Sequence, residues 1–177
     1  MEYIKLLGAA LVIVAGAGLG SCGVKKMKER TKEFEELYFC LLRLKSEMNH
    51  GVKPLPDAIY GAAEKKDGTA DGIFRQTLKA MAKKMEEGKE AYELLVRGCA
   101  EAHLSGSVIK KEEVEGFVAA FSLLGGNDKA KQVQMIEYYS ETIRELIATE
   151  KTKKKEQAYL YRSLGLLGGI FISVILY

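Results

Sequence analysis

The feature that most constrains this chain is the placement of its charge. Tyr3 to Gly23 holds one charged residue, Lys5, and Leu164 to Tyr177 holds none, while the stretch between them is densely charged. On the inner side of each apolar end lies a basic cluster: Lys25, Lys26, Lys28 and Arg30 after the first, and Lys151, Lys153, Lys154 and Lys155 before the second. A chain with apolar ends and a charged middle is predicted to fold as a polar body tethered at both ends. Lysines left beside an apolar run resist translocation, so the body is expected in the cytoplasm and both termini outside.

Length agrees with that reading. Tyr3 to Ser21 reaches about 28 Å as a helix, close to the roughly 30 Å hydrocarbon core. Leu164 to Tyr177 alone reaches only about 21 Å, and adding Tyr159 to Tyr161 brings it near full length, with Arg162 snorkelling to the interface. The absence of a polar cap at the last residues favours an anchor over a core helix. The expected organisation is therefore an N-terminal transmembrane anchor at 1–23, a cytoplasmic helical bundle at 24–158, and a C-terminal transmembrane helix at 159–177.

One motif competes with this. Leu19-Gly20-Ser21-Cys22 resembles a bacterial lipobox, which would cut the chain and leave Cys22 as a lipidated N-terminus. The segment before it carries Glu2 against its single Lys5, a poor n-region, and the basic cluster after it opposes export. Retention of the anchor is the expectation, with a surface-exposed lipoprotein of binding or signalling role as the alternative.

Between the ends, spacing of period 3.6 dominates. Phe34, Leu37, Leu41, Leu44 and Met48 mark a first helix face closed at Gly51, and Lys53-Pro54-Leu55-Pro56 breaks the chain before a short helix through Ile59 and Ala63. Phe74, Leu78, Met81 and Met85 mark a third helix that stops near Gly88. Tyr92, Leu95, Val96 and Cys99 mark a fourth, and Val114, Phe117, Val118 and Phe121 a fifth. Ile136, Tyr139, Ile143 and Leu146 open a long last helix. The fold class is all-α, an antiparallel bundle of about six helices flanked by the two membrane helices.

Chemistry-bearing motifs are few. Asp67, Thr69, Asp71 and Gly72 match the first half of an EF-hand loop, but Leu78 stands where the bidentate carboxylate belongs, so a helix-capping loop is expected instead of calcium. His50 and His103 sit near helix ends, as a dipole contact would place them. Cys22, Cys40 and Cys99 are an odd number without CxxC spacing, which suits a reduced compartment. No phosphate-loop signature is present. No catalytic or metal site and no cofactor is expected, and the net charge of +3 is too small to argue for nucleic acid. Gly16 and Gly20, and Gly165 and Gly169, form GxxxG pairs in the two anchors, with Ser173 extending the second stripe, as close membrane-helix packing would use.

Two segments carry a resemblance: "GVKPLP" at Gly51 to Pro56, with Pro54 and Leu55, and "LLGGNDKAKQ", whose Leu-Gly-x-x-Asp-x-x-x-Gln pattern falls on Leu124, Gly125, Asp128 and Gln132. Together with the basic-flanked apolar ends, over nearly the whole chain, they resemble the stage III sporulation protein AB family of endospore-forming bacteria. Gly126-Asn127 departs mildly from the pattern, since other small or polar residues are usual there. The resemblance implies a helical body similar to type II secretion F platform domains. It also implies a membrane-embedded part in the secretion or channel complex joining mother cell to forespore. The partners it implies are an ATPase and other membrane proteins of the same operon, with self-association open. Independently of it, Gly125 or Gly126 is expected to close a helix at positive φ, and Asn127 or Asp128 to cap the next.

Overall fold

The structure, a computed structural model, describes the backbone of residues 2–50, 53–64, 70–126 and 128–176, and the side chains of residues 25–49, 53–64, 70–126, 128–156, 160 and 163. Six α-helices make up the described residues: α1 (Glu2–His50), α2 (Leu55–Ala63), α3 (Ile73–Glu87), α4 (Tyr92–Leu104), α5 (Lys111–Ser122) and α6 (Lys129–Leu176), with a short 3-10 turn at Leu123–Gly125. The chain divides into two compact units, one of residues 30–147 and one of residues 1–29 with 148–177.

The larger unit is organised by the apolar faces expected from the spacing. Phe34, Leu37, Leu41, Leu44 and Met48 of α1 are all buried, as are Ile59 and Ala63 of α2 and Phe74, Leu78 and Met81 of α3. Val96 and Cys99 of α4, Phe117 and Phe121 of α5, and Ile136, Tyr139 and Ile143 of α6 complete the core, while Met85 and Leu146 pack at its margin. A run of aromatic contacts threads this core. Phe34 meets Phe74 at 5.5 Å, Phe74 meets Phe117 at 5.6 Å, Phe117 stacks on Phe121 at 4.3 Å, and Phe121 meets Tyr139 edge-on at 6.4 Å. Rings from α1, α3, α5 and α6 thus interlock, and each such pair adds roughly 0.5–1.5 kcal/mol beyond its burial.

Local chemistry sets the helix boundaries. Pro54, at φ −57° and ψ 152°, enters α2 extended, and Pro56 sits in the first turn where no N–H is needed. Gly88 ends α3 in the left-handed conformation at φ 62°, with its N–H on the Lys84 carbonyl. The backbone N–H of Lys110 donates to Glu113 at 2.9 Å, half of a capping box at the start of α5.

The smaller unit consists of the outer parts of α1 and α6. The junction at Gly18 to Arg30 is not a break: α1 runs through it as one helix. Arg30 departs from its expected place in an exposed basic cluster. It is buried at 7% exposure, ion-pairs with Glu113, donates to the Val108 carbonyl and lies 5.5 Å above the Phe34 ring. A guanidinium can be buried this way because its planar fork finds acceptors while its face covers an aromatic ring. Among the described residues, no helix is long and apolar enough to cross a membrane. The spans expected at 1–23 and 159–177 fall almost entirely on side chains outside the described set, as do Cys22, His50 and the surroundings of Gly16, Gly20, Gly165 and Gly169.

Candidate functional site

The family-pattern residues converge on the corner from α5 to α6. Leu124 is buried in the core. Asp128 accepts from the backbone N–H groups of Ala130 and Lys131 at 3.0 and 3.2 Å through Oδ1, the N-cap of α6. Gln132, one turn on, reaches back with Nε2 to the carbonyls of Leu124 at 2.6 Å and Gly126 at 2.5 Å. Those carbonyls belong to the end of the preceding turn and have lost their helical partners, so one side-chain amide closes both ends of the corner. The spacing of Leu124, Gly125, Asp128 and Gln132 is therefore that of a clasp made from adjacent stretches of chain.

Gly125 has a different reason from the one expected. It lies in the 3-10 turn, Gly126 has φ −73°, and the positive-φ glycines among the described residues are Gly88 and Gly106. What requires glycine at 125 is the ring of Tyr92: a Cβ there would meet three of its carbons at 3.0 Å or closer. Tyr92, at the start of α4, donates its hydroxyl to the Phe121 carbonyl at 2.8 Å, and burial raises its phenol above the ordinary range. The ring thus fills the space a side chain at 125 would take and satisfies a carbonyl at the end of α5. Asn127 lies outside the described residues, and the cap falls to Asp128.

Of the other patterned segment, Gly51 lies outside the described residues, Pro54 and Pro56 shape the entry to α2, and Leu55 packs partly against the core. In the α5–α6 corner Leu123 stands 58% exposed, and on α4 Leu94 is 66% exposed.

A polar network at the start of α3 escaped the sequence reading. Gly72 and Ile73 donate their backbone N–H groups to Glu36 at 3.3 Å and Glu33 at 2.8 Å, so two carboxylates of α1 occupy the N-terminus of α3. Glu36 also accepts from Arg75 Nε at 3.1 Å, and Arg75 donates to the carbonyl of Ala63, the last residue of α2, at 3.1 Å. Arg43 donates to the neighbouring Glu64 carbonyl. Side chains of Arg75 and Glu36 keep only 8% and 11% exposure, so this is a buried pair. Burial raises the Glu33 carboxyl above its ordinary value, opposed by the Ile73 N–H and reinforced by Glu36. A Cβ at Gly72 would lie 2.5 to 2.9 Å from these carboxylate oxygens, so a side chain there would displace them from the N–H groups they accept from. The available signal was Arg75 itself, a charge between Phe74 and Leu78 in an apolar stripe. Asp71 of the EF-hand-like stretch pairs with Lys79 at 2.6 Å. Cys40 lies beside this network, its thiol pushed up to about 11 by burial. Among the described residues no group of His, Cys, Asp and Glu is arranged to hold a metal.

Comparison with known proteins agrees with these motifs. A model of the family described as stage III sporulation protein AB matches residues 5–177. The stage III sporulation protein AB of Bacillus subtilis (strain 168) is 27% identical over 98% of this chain and 99% of its own. A solved structure of stage III sporulation protein AB, 18% identical, superposes with a TM-score of 0.61 over 72% of this chain and 98% of that one, a likeness of fold. The chain belongs to the stage III sporulation protein AB family.

Proposed function

We propose that this protein is a non-catalytic membrane platform of the sporulation complex that links mother cell and forespore. Its apolar ends anchor it in the mother-cell membrane, and its helical body faces the cytoplasm. There the body contacts the ATPase and the other membrane subunits of the complex. The observation that carries this reading is continuity. The helices that begin and end the body, α1 and α6, are the same unbroken helices that contain the two basic-flanked apolar runs. A partner bound to the body would then act on helices that enter the bilayer, without any bond being made or broken. Exposed Leu123 in the closed α5–α6 corner, and exposed Leu94 on α4, whose Tyr92 packs on that corner, are the contact positions favoured here.

Two measurements test the proposal. A membrane-impermeant thiol reagent should fail to label Lys84→Cys in intact sporulating cells and should label it after lysis, since Lys84 is exposed. Labelling in intact cells would put the body outside and revive the lipoprotein alternative at Cys22, which an intact mass lacking residues 1–21 would establish. A photo-crosslinker at position 94 or 123 should capture the ATPase of the complex, whereas one at exposed Lys53 should not. Equal capture from all three positions would defeat the assigned contact face.

A further inference from the structure

Residues 25–29 and 148–156 carry seven lysines against three glutamates, while residues 30–147 carry eighteen basic against twenty acidic side chains. The two lysine segments belong to the same compact unit. Lys25, Lys26 and Lys28 of α1 and Lys151, Lys153 and Lys155 of α6 are exposed, whereas one of the three glutamates, Glu150, is buried at 6% exposure. Lys154 is half-buried, so six exposed lysines face two exposed glutamates, Glu29 and Glu156, and the positive excess of the composition is carried in full by the exposed faces.

This pattern is costly for the helices themselves. Lys25 with Lys28 and Lys151 with Lys155 stand at the i,i+3 and i,i+4 spacings where like charges repel, and Glu29 and Glu156, at the same spacings from Lys25 and Lys153, offset this only in part. A helix that only marked its orientation in a membrane needs a basic excess, not lysines stacked on its own surface. An external anion would offset the repulsion. The lysines also lie at the right height for one: Lys25 follows Ser21, and Lys155 precedes Tyr159, by one helical turn, about 6 Å, comparable to the roughly 5–7 Å headgroup layer on each side of a bilayer.

We propose that the exposed lysines of α1 and α6 form a collar that binds anionic phospholipid headgroups and gathers them around the protein. The inference rests on the membrane-anchored reading above. The ligand chemistry is a phosphodiester held by ammonium groups, and its source is lipid, because the collar adjoins the apolar runs on both helices. Each lysine near an anionic surface changes partition by about fivefold, so five of them suffice for strong local enrichment.

The full chain, extracted with its surrounding lipid from vesicles of mixed phosphatidylcholine and phosphatidylglycerol, should carry several-fold more phosphatidylglycerol than the bulk by mass spectrometry. The variant Lys25→Gln, Lys26→Gln, Lys28→Gln, Lys153→Gln, Lys155→Gln should fall to the bulk ratio, and raised salt should do the same to the wild type. A control, Lys83→Gln, Lys84→Gln, Lys89→Gln, removes exposed charge from the other unit and should keep the enrichment. No enrichment, or equal loss in the control, overturns the collar. Loss of enrichment on adding soluble glycerophosphate also overturns it, since the site would then be for free anions. Alkaline carbonate separates the two ideas. If the chain resists extraction but shows no enrichment, only the collar fails. If carbonate strips it from the vesicles, the anchored reading fails and takes the collar with it.

Discussion

Helices α3 and α6 both begin with unpaired backbone N–H groups, and they satisfy them in opposite ways. The start of α6 is self-contained, with Asp128 capping its own helix and Gln132 bonding carbonyls eight and six residues back. The start of α3 borrows its acceptors from α1, some forty residues earlier, through Glu33 and Glu36. The first is a junction the chain can close as it collapses locally. The second forms only when α1 and α3 are already packed, and it adds an arginine that holds the end of α2 to the same carboxylate. The α2–α3 junction should therefore report on the assembly of the whole bundle, and the α5–α6 corner on its own geometry.

The largest expected effect tests the borrowed junction. Glu36→Ala would leave the buried Arg75 guanidinium without its carboxylate and remove one of the two carboxylates at the start of α3, at a cost of about 3–5 kcal/mol. Thermal melts of the full chain in neutral detergent should show the loss, and hydrogen exchange should show α2 and α3 opening together. If exchange speeds up in the first turn of α3 alone, the network is a cap and not a brace. The next effect concerns close packing. Gly125→Ala drives a methyl into the Tyr92 ring and should cost roughly 1–3 kcal/mol. In a Tyr92→Ala background the added methyl should cost far less, and equal costs in both backgrounds would dismiss the ring contact as the reason for glycine. The third effect is smaller. Asp128→Ala removes an exposed local cap, worth about 0.5–2 kcal/mol, and should speed exchange only at the start of α6. Destabilisation as large as that of Glu36→Ala would erase the distinction between the two junctions.

The same distinction governs what could be seen in the sequence. Core faces follow from spacing, and Phe34 to Met48 or Val114 to Phe121 became buried because period 3.6 puts them on one side of a helix. Asp128 was legible as a cap because a cap acts two or three residues from itself. Gly125 was legible as a required glycine but not for its cause, since the Tyr92 ring arrives from a distant stretch of chain. Arg30 was grouped with the exposed lysines beside it, although Glu113, which buries it, lies 83 residues on. The Glu33, Glu36 and Arg75 network is wholly long-range, and no local pattern encodes its pairings.

The smallest effect separates the two carboxylates of the borrowed junction. Glu33 is half-buried, and desolvation raises its carboxyl above the ordinary 4.5 more than the Ile73 N–H lowers it. A folded-state value above the unfolded one means that protonation favours the fold. The contribution is therefore complete below the unfolded value near 4.5 and is lost as pH rises through the higher folded one. Glu33→Gln keeps an oxygen for the Ile73 N–H and removes the titration. Relative to wild type, this variant should gain melting temperature as the pH is raised from about 4 to about 7, by a degree or so at most for a group this open to solvent. Parallel melting curves for the two proteins across that range would mean that the carboxylate is equally comfortable folded and unfolded. The Ile73 N–H would then offset the full cost of burying the Glu33 carboxylate, and its place at the start of α3 would carry no pH dependence.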